Sequence, residues 1–167
     1  LPEFLAQHPQ LHVELSSTDR RVDLVREGFD CVIRVGKLGD SSLIARPLGS
    51  LSLVNCASPD YIARYGTPQS LADLAQHQLI HYVSILGSKS AGFEYAANGE
   101  THFVAMPGKI TVNNSDAYSA ACLAGLGIAQ IPRIAAQDYL ARGQLVEVLP
   151  QYCAEAMPVS LLYANRR

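Results

Sequence analysis

The residues best suited to chemistry in this sequence are recognition groups rather than nucleophiles. They gather at three places: Ser16-Ser17-Thr18, Arg34 to Gly36, and Asn113-Asn114-Ser115. Each follows an apolar run that reads as a strand, and in open α/β sheets ligands bind beyond the carboxyl ends of strands. Two of the three also open a predicted helix, whose first N–H groups lack partners within the helix and favour anions. Arg34 stands near the end of the mostly apolar run FDCVIRV. It either pairs with Asp30, Asp40 or Asp116 or meets a ligand, because a charge among apolar groups needs a partner. His81 and Val83 end a further predicted strand and are weaker candidates. The chemistry on offer is hydrogen bonding and charge pairing with a small, anionic or carboxylate-bearing molecule.

Covalent chemistry finds less support. There is no G-x-S-x-G elbow, no phosphate-binding G-x-x-x-x-G-K-[ST] loop and no C-x-x-C pair. His8, His12, His77, His81 and His102 have no H-E-x-x-H or related metal spacing. No metal or cofactor is implied. Serines, histidines and aspartates are all present, so residue inventory alone leaves a hydrolase open. Cys31, Cys56, Cys122 and Cys153 have small or apolar neighbours and read as buried free thiols, which suits a reducing cytoplasm.

These groups need a scaffold, and Val112 to Pro132, VNNSDAYSAACLAGLGIAQIP, shows the unit most fully. Asn113 to Asp116 are helix-capping types. Ala117 to Ala124 has good helix propensity, Gly125 suits the left-handed stop, and Ile128 to Ile131 reads as a buried strand before Pro132. Its two glycines imply close backbone approach, either as plain packing or to bring the helix start to a ligand. Elsewhere the pattern predicts a helix over Leu1 to His8, a strand over Leu11 to Leu15 and an amphipathic helix over Asp19 to Glu27. Strands follow at Phe29 to Val35, Leu43 to Leu48 and Leu51 to Ala57. Ser58-Pro59 opens a helix closed by Gly66. Ser70 to Asp73 is close to a capping box for a short helix reaching Gln76. Strands are predicted at Leu79 to Ser84 and Phe93 to Tyr95, then at His102 to Met106 and Lys109 to Val112 as a pair around Pro107-Gly108. A helix from Arg133 to Arg142 and strands at Leu145 to Leu149 and Leu161 to Ala164 complete the chain. Alternating strands and helices predict an α/β fold with largely parallel sheets.

The chain has 167 residues, enough for one substantial core or two small lobes. Hydrophobic residues are 49% and charged ones 17%, a globular balance. A formal charge of −2 gives no general attraction to nucleic acid. No apolar run approaches the roughly 20 residues of a membrane helix, and no signal peptide is visible.

Taken together, four segments carry a resemblance. They are LPEFLAQHPQLHVELSSTDRRVDLVREGFDCVIRVG, SSLIARPLGSLSLVNCASPDYIARYGTPQSLADLAQHQLI, KITVNNSDAYSAACLAGLGIAQIP and LARGQLVEVLP. In this order and spacing the chain resembles the effector-binding domain of a LysR-type transcriptional regulator. The resemblance implies two Rossmann-like lobes of the periplasmic-binding-protein type II kind, joined by two crossover strands. Lobe I would be 1–52 with 144–167, and lobe II 53–143. A small-molecule effector would sit between the lobes, touched by Ser16, Ser17, Thr18, Arg34, Gly36, Asn113, Asn114 and Ser115, with His81 and Val83 nearby. The family also implies a first strand and loop before Leu1, a helix after Arg167, and an upstream helix-turn-helix through which alone DNA would be bound. The Trp-x-Phe common in the middle strand is Phe93-Glu94-Tyr95 here. A homodimer is expected, the Leu1 to His8 helix of one chain meeting the Ala117 to Ala124 helix of another, with Ala121 in the contact. The rival readings are a transporter's solute-binding protein and an enzyme on the same two-lobed fold.

Overall fold

The computed structural model describes residues 1–39 and 42–164. Its elements run α1 (Pro2–Gln7), β1 (Cys31–Val35), β2 (Ile44–Leu51), β3 (Leu53–Ala57), α2 (Pro59–Tyr65), a 3-10 turn (Leu71–Gln76) and β4 (Ile80–Tyr82). They continue with β5 (Phe93–Ala97), β6 (Glu100–Val104), β7 (Ile110–Val112), α3 (Ser115–Leu123), β8 (Ala129–Pro132), α4 (Arg133–Ala141), β9 (Val146–Glu147) and β10 (Met157–Tyr163).

The strands fall into two groups. One sheet has the order β1-β10-β2; the other group holds β8-β3-β9, the pair β4-β7 and the hairpin β5-β6. The chain crosses between groups at Ser52, whose carbonyl accepts from Arg133 N at 2.8 Å. It returns between β9 and β10. β9 pairs with β3, and Leu145, Val148 and Leu149 are buried with the second group before the return.

Local chemistry explains the elements of the second group. Ser58 caps α2 by accepting from Tyr61 N at 3.2 Å, with Pro59 in the first turn. Asp73 Oδ2 accepts from Ser70 N at 2.9 Å and fixes the 3-10 turn. Asn114 caps α3 by accepting from Ala117 N at 2.9 Å. At the other end of α3, Leu126 N reaches Ala121 O and Gly125 N reaches Cys122 O, a Schellman closure. Gly125 has φ of +73°, and a Cβ there would lie 2.6 Å from Arg64 Nη2. A Cβ on Gly127 would meet Gln78 O at 2.7 Å. Both glycines therefore serve packing, while the start of α3 is left for other contacts.

Two buried clusters result. Val54, Ile80, Val112, Tyr118, Cys122, Ile131 and Leu145 form one, beneath α3 and α4. Tyr61, Leu74, Phe93, Ile128 and Val148 form the other, beneath α2. Between them, Asn55 is fully buried. Its Nδ2 donates to Leu149 O at 3.1 Å and Tyr152 O at 2.9 Å, and its Oδ1 accepts from Gln130 Nε2 at 2.8 Å.

Five expectations fail. Leu11 to Leu15 is no strand, and Leu11, Val13 and Leu15 are exposed. Asp19 to Glu27 is not a helix; it is extended with turns over 24–28, and of its apolar residues Leu24 alone is buried. A strand needs a ladder partner and a lone nine-residue helix is marginal, and neither segment has a core to face here. The strands flanking Pro107-Gly108 do not pair with each other: β6 pairs with β5, and β7 runs parallel to β4. The sheets are mostly antiparallel, β4-β7 being the parallel pair, with a parallel bridge between Leu79 and Ile128. Cys31 is exposed, not buried as expected, and Cys153 is half-buried; Cys56 and Cys122 are buried.

Replacing Asn55 by Ala would leave Gln130 Nε2 one acceptor short and Tyr152 O without its donor, while Leu149 O would keep the Tyr152 N–H. Each buried unsatisfied group is destabilising by roughly 1–3 kcal/mol. Asn55→Ala is therefore expected to lower unfolding free energy by about 3 kcal/mol in urea titration. A loss below about 0.5 kcal/mol, the scale of an ordinary surface change, would show the network to be dispensable.

Candidate functional site

Two clusters of polar groups lie where the strand groups face each other. The first centres on the start of α3. Asp19, in the extended segment after Ser16-Ser17-Thr18, turns its carboxylate onto Ser115. Oδ2 accepts from the Ser115 hydroxyl at 2.9 Å and also from Ser115 N. The contact is exposed, so its donors are open to exchange with a ligand. Tyr82 lies beside it, with its ring 5.4 Å from that of Tyr118. Burial pushes the Tyr82 phenol above its ordinary range; Asp19 raises it further, and the Ser115 hydroxyl draws it back.

The second cluster is a cavity of about 420 Å³ beside the return crossing. Gly36, Lys37, Met157 and Pro158 line it from the β1-β10 side. Glu94, Thr101 and Phe103 line it from the β5-β6 hairpin, and Glu155 comes from the crossing itself. Strand register explains the hairpin's contribution. Glu94 pairs with Phe103 and Ala96 with Thr101, so all four share one face. Phe93 and Tyr95 alternate to the other face, against the core. Gly36 has φ of +98° and donates to Pro158 O at 2.8 Å, a turn that favours glycine.

Glu94 is held at its backbone rather than at its carboxylate. Its N–H donates to Gln130 Oε1 at 2.8 Å, and its carbonyl accepts from Gln130 Nε2 at 2.7 Å. Burial pushes the Glu94 carboxyl above the ordinary glutamate range; Glu155 adds to this, and Lys37 opposes it.

The sequence-predicted residues divide accordingly. Ser16, Ser17, Thr18, Asn113, Asn114 and Ser115 are all exposed around the first cluster. Thr18 Oγ1 accepts from Arg20 N at 3.2 Å and shapes the turn that presents Asp19. Gly36 belongs to the second cluster. Arg34 is half-buried, and its Nη2 donates to Val22 O at 3.1 Å, tying β1 to the extended segment. Asp40, one expected partner of Arg34, lies outside the described residues. Val83 is buried, with its N–H on Val112 O. His81 stands apart: its Nε2 would lie 2.5 Å from a Cβ on Gly108, and its buried Nδ1 has no hydrogen-bond partner among the described residues. Asp19, Tyr82, Lys37, Glu94 and Glu155 were not singled out from sequence. The one available signal was Glu94 itself, a charge between two aromatic residues on a strand.

A side-chain carboxyl titration followed by 13C NMR is expected to put Glu94 above the ordinary glutamate range. Glu155→Gln should lower it by removing a like charge, and Lys37→Ala should raise it by removing an opposite one. A Glu94 value unmoved by both changes would separate it from its two neighbours.

Comparison with known proteins bears on what such a scaffold does. The family model of the LysR substrate binding domain matches residues 1–167. An uncharacterized HTH-type transcriptional regulator of Escherichia coli, YhjC, is 52% identical over 167 residues, which is 100% of this chain and 56% of that protein. The HTH-type transcriptional repressor PA14_22550 of Pseudomonas aeruginosa is 36% identical over 169 residues, 100% of this chain and 53% of that one. The regulatory domain of CrgA from Neisseria meningitidis superposes with a TM-score of 0.81 at 27% identity, covering 98% of this chain and 79% of that chain. The chain thus spans about half the length of the curated relatives it matches. LysR regulatory domains have the two-lobed periplasmic-binding-protein-like fold, which this chain shares, and the chain belongs to the LysR substrate-binding domain family.

Proposed function

We propose that this chain is the ligand-sensing part of a transcriptional regulator and not an enzyme. A small-molecule effector binds between the lobes and alters their relative arrangement. That arrangement biases a DNA-binding segment outside this chain, by no more than the effector's difference in affinity for the two states. The cytoplasm is the compartment where such a molecule meets DNA. Among the described residues, no helix is long and apolar enough to cross a membrane.

One observation carries the reading: Asp19 from one lobe already places a carboxylate on the backbone and hydroxyl of Ser115 in the other. A carboxylate-bearing effector would take the same donors, beside Thr18, Asn113 and Asn114. Support for α1 as a surface for a second copy comes from its lack of any buried residue, with Leu1 and Phe4 exposed. Ala121 does not fit that interface. It lies on the buried face of α3, in the first hydrophobic cluster, so Ala121→Glu would disrupt the core; Ala120 is the exposed alanine within α3.

A thermal-shift screen of carboxylates and other small metabolites is the test. A true effector at a hundred times its dissociation constant adds roughly 2.7 kcal/mol. Its effect should fall in Thr18→Ala and in Ser115→Ala. A compound that stabilises both variants as well as it does the wild type binds elsewhere. Light scattering at micromolar concentration is expected to give a dimer mass that Ala120→Glu reduces to a monomer without lowering the melting temperature, since an unpaired charge would be buried only in the dimer. A monomeric wild type, or a dimer indifferent to Ala120→Glu, refutes the pairing.

A further inference from the structure

We propose that the cavity beside the return crossing binds the protonated amine of a small molecule, with Glu94 as its principal partner and Glu155 as its second. The inference rests on the effector-binding reading and assigns the ligand a chemical class at a cavity whose lining does not include Ser115.

Four observations carry it. First, there is room: a half-open cavity of about 420 Å³ lined from both strand groups, large enough for a small amine. Second, Glu94 is positioned yet unused. Gln130 clamps its peptide from both sides, while its carboxylate has no hydrogen-bond or ion-pair partner among the described residues. A half-buried carboxylate in that state gains by meeting a cation. Third, the charge balance of the lining is two carboxylates to one lysine. Lys37 makes only a loose pair with Glu155, at 4.0 Å, with its side chain 87% exposed. Such a pair is weak and an entering ammonium can replace it. Fourth, Phe103 shares the face of Glu94 and is 52% exposed, which leaves its ring free to cover an alkyl stem or to meet the cation. Thr101, on the same face, lines the cavity with a hydroxyl able to accept from the amine.

The same residues disfavour other ligands. An anion would face both glutamates. Among the described residues no group of three or more His, Cys, Asp or Glu side chains could hold a metal ion, so a divalent cation lacks its ligand set. An ammonium needs only directed acceptors, and two carboxylates with a hydroxyl supply them.

The test uses isothermal calorimetry and thermal shift with three probes: 1,5-diaminopentane, L-lysine and hexanoate. The two amines should stabilise the wild type. Glu94→Gln, which keeps size and backbone contacts, should weaken them about tenfold or more, as expected for loss of a charge-assisted bond. Glu155→Gln should weaken them less, and Lys37→Ala should strengthen them by removing the competing cation. An unliganded melting temperature for Glu94→Gln at or above that of wild type shows that it is folded. If neither amine binds the wild type, or if Glu94→Gln and Glu155→Gln both bind it unchanged, the assignment is wrong. Stabilisation by hexanoate that is lost in Ser115→Ala, with no binding of either amine, would overturn this inference while leaving the interlobe reading intact. Failure of every compound in the wider screen would remove both.

Discussion

The arrangement of this molecule depends on a hydrogen bond between two amides, fully buried Asn55 on β3 and half-buried Gln130 on β8. Buried amides are costly unless satisfied, and these are answered from several directions. Asn55 takes hold of the 149–152 turn through two carbonyls, Gln130 clamps the peptide of Glu94, and the two side chains bond each other. Gln130 N also donates to the Tyr118 hydroxyl at 2.9 Å, bringing α3 into the same set. Five pieces of chain, β3, β8, β5, α3 and the 149–152 turn, are thereby tied together by directed polar bonds. Hydrophobic packing alone would permit the β5-β6 hairpin to slide; directed bonds to the peptide of Glu94 do not. The face that Glu94 presents to the cleft is thus a consequence of the core of the second lobe.

Burial is distributed unevenly between the two strand groups. Both hydrophobic clusters lie with the second group, supplied by residues between Val54 and Leu149. Outside it, Leu24, Ser160 and Leu162 are the buried residues among those described, while Ile33, Val35 and Leu48 stand exposed on the β1-β10-β2 sheet. The β1-β10-β2 sheet therefore relies on its ladder and on single ties such as Arg34 to Val22 O. Since apolar burial contributes about 25 cal/mol per Å², the second lobe holds most of the hydrophobic stabilisation. Opening between the lobes can then occur without loss of either cluster.

Local signals made much of the second lobe legible. Ser58-Pro59, Asn114 and Gly125 each act through their own backbone neighbourhood, and the elements they bound, α2 and α3, stand where the sequence puts them. The first lobe was less legible for a related reason: the alternation of Leu11, Val13 and Leu15 specifies a strand only if another strand and a core complete it. Pairing was hidden too. Nothing local distinguishes β6 meeting β5 from β6 meeting β7, because register is set by side chains from distant segments. At the candidate site, Ser115 and Gly36 stood out in the sequence because helix starts and strand ends are readable positions. Asp19 and Glu94 carried no comparable local signal, because what faces each of them comes from distant segments of chain.

The two clusters differ in what they do to the gap between lobes. At Ser115 the carboxylate of Asp19 already occupies the donors, so an incoming carboxylate would exchange one acceptor for another and release Asp19. At Glu94 and Glu155 like charges line one cavity, and a bound cation would replace repulsion with attraction between β5 and the return crossing. In the proposed reading, occupation of the first cluster loosens an interlobe contact and occupation of the second creates one. A ligand shifts an equilibrium only by its differential affinity for the two arrangements, so these opposite signs matter more than the strength of either contact. A molecule with a carboxylate alone and one with an amine alone would push the lobes in opposite directions. One bearing both groups would shift them by the difference of the two effects, so its length, which decides whether both ends engage at once, would set the direction of the response.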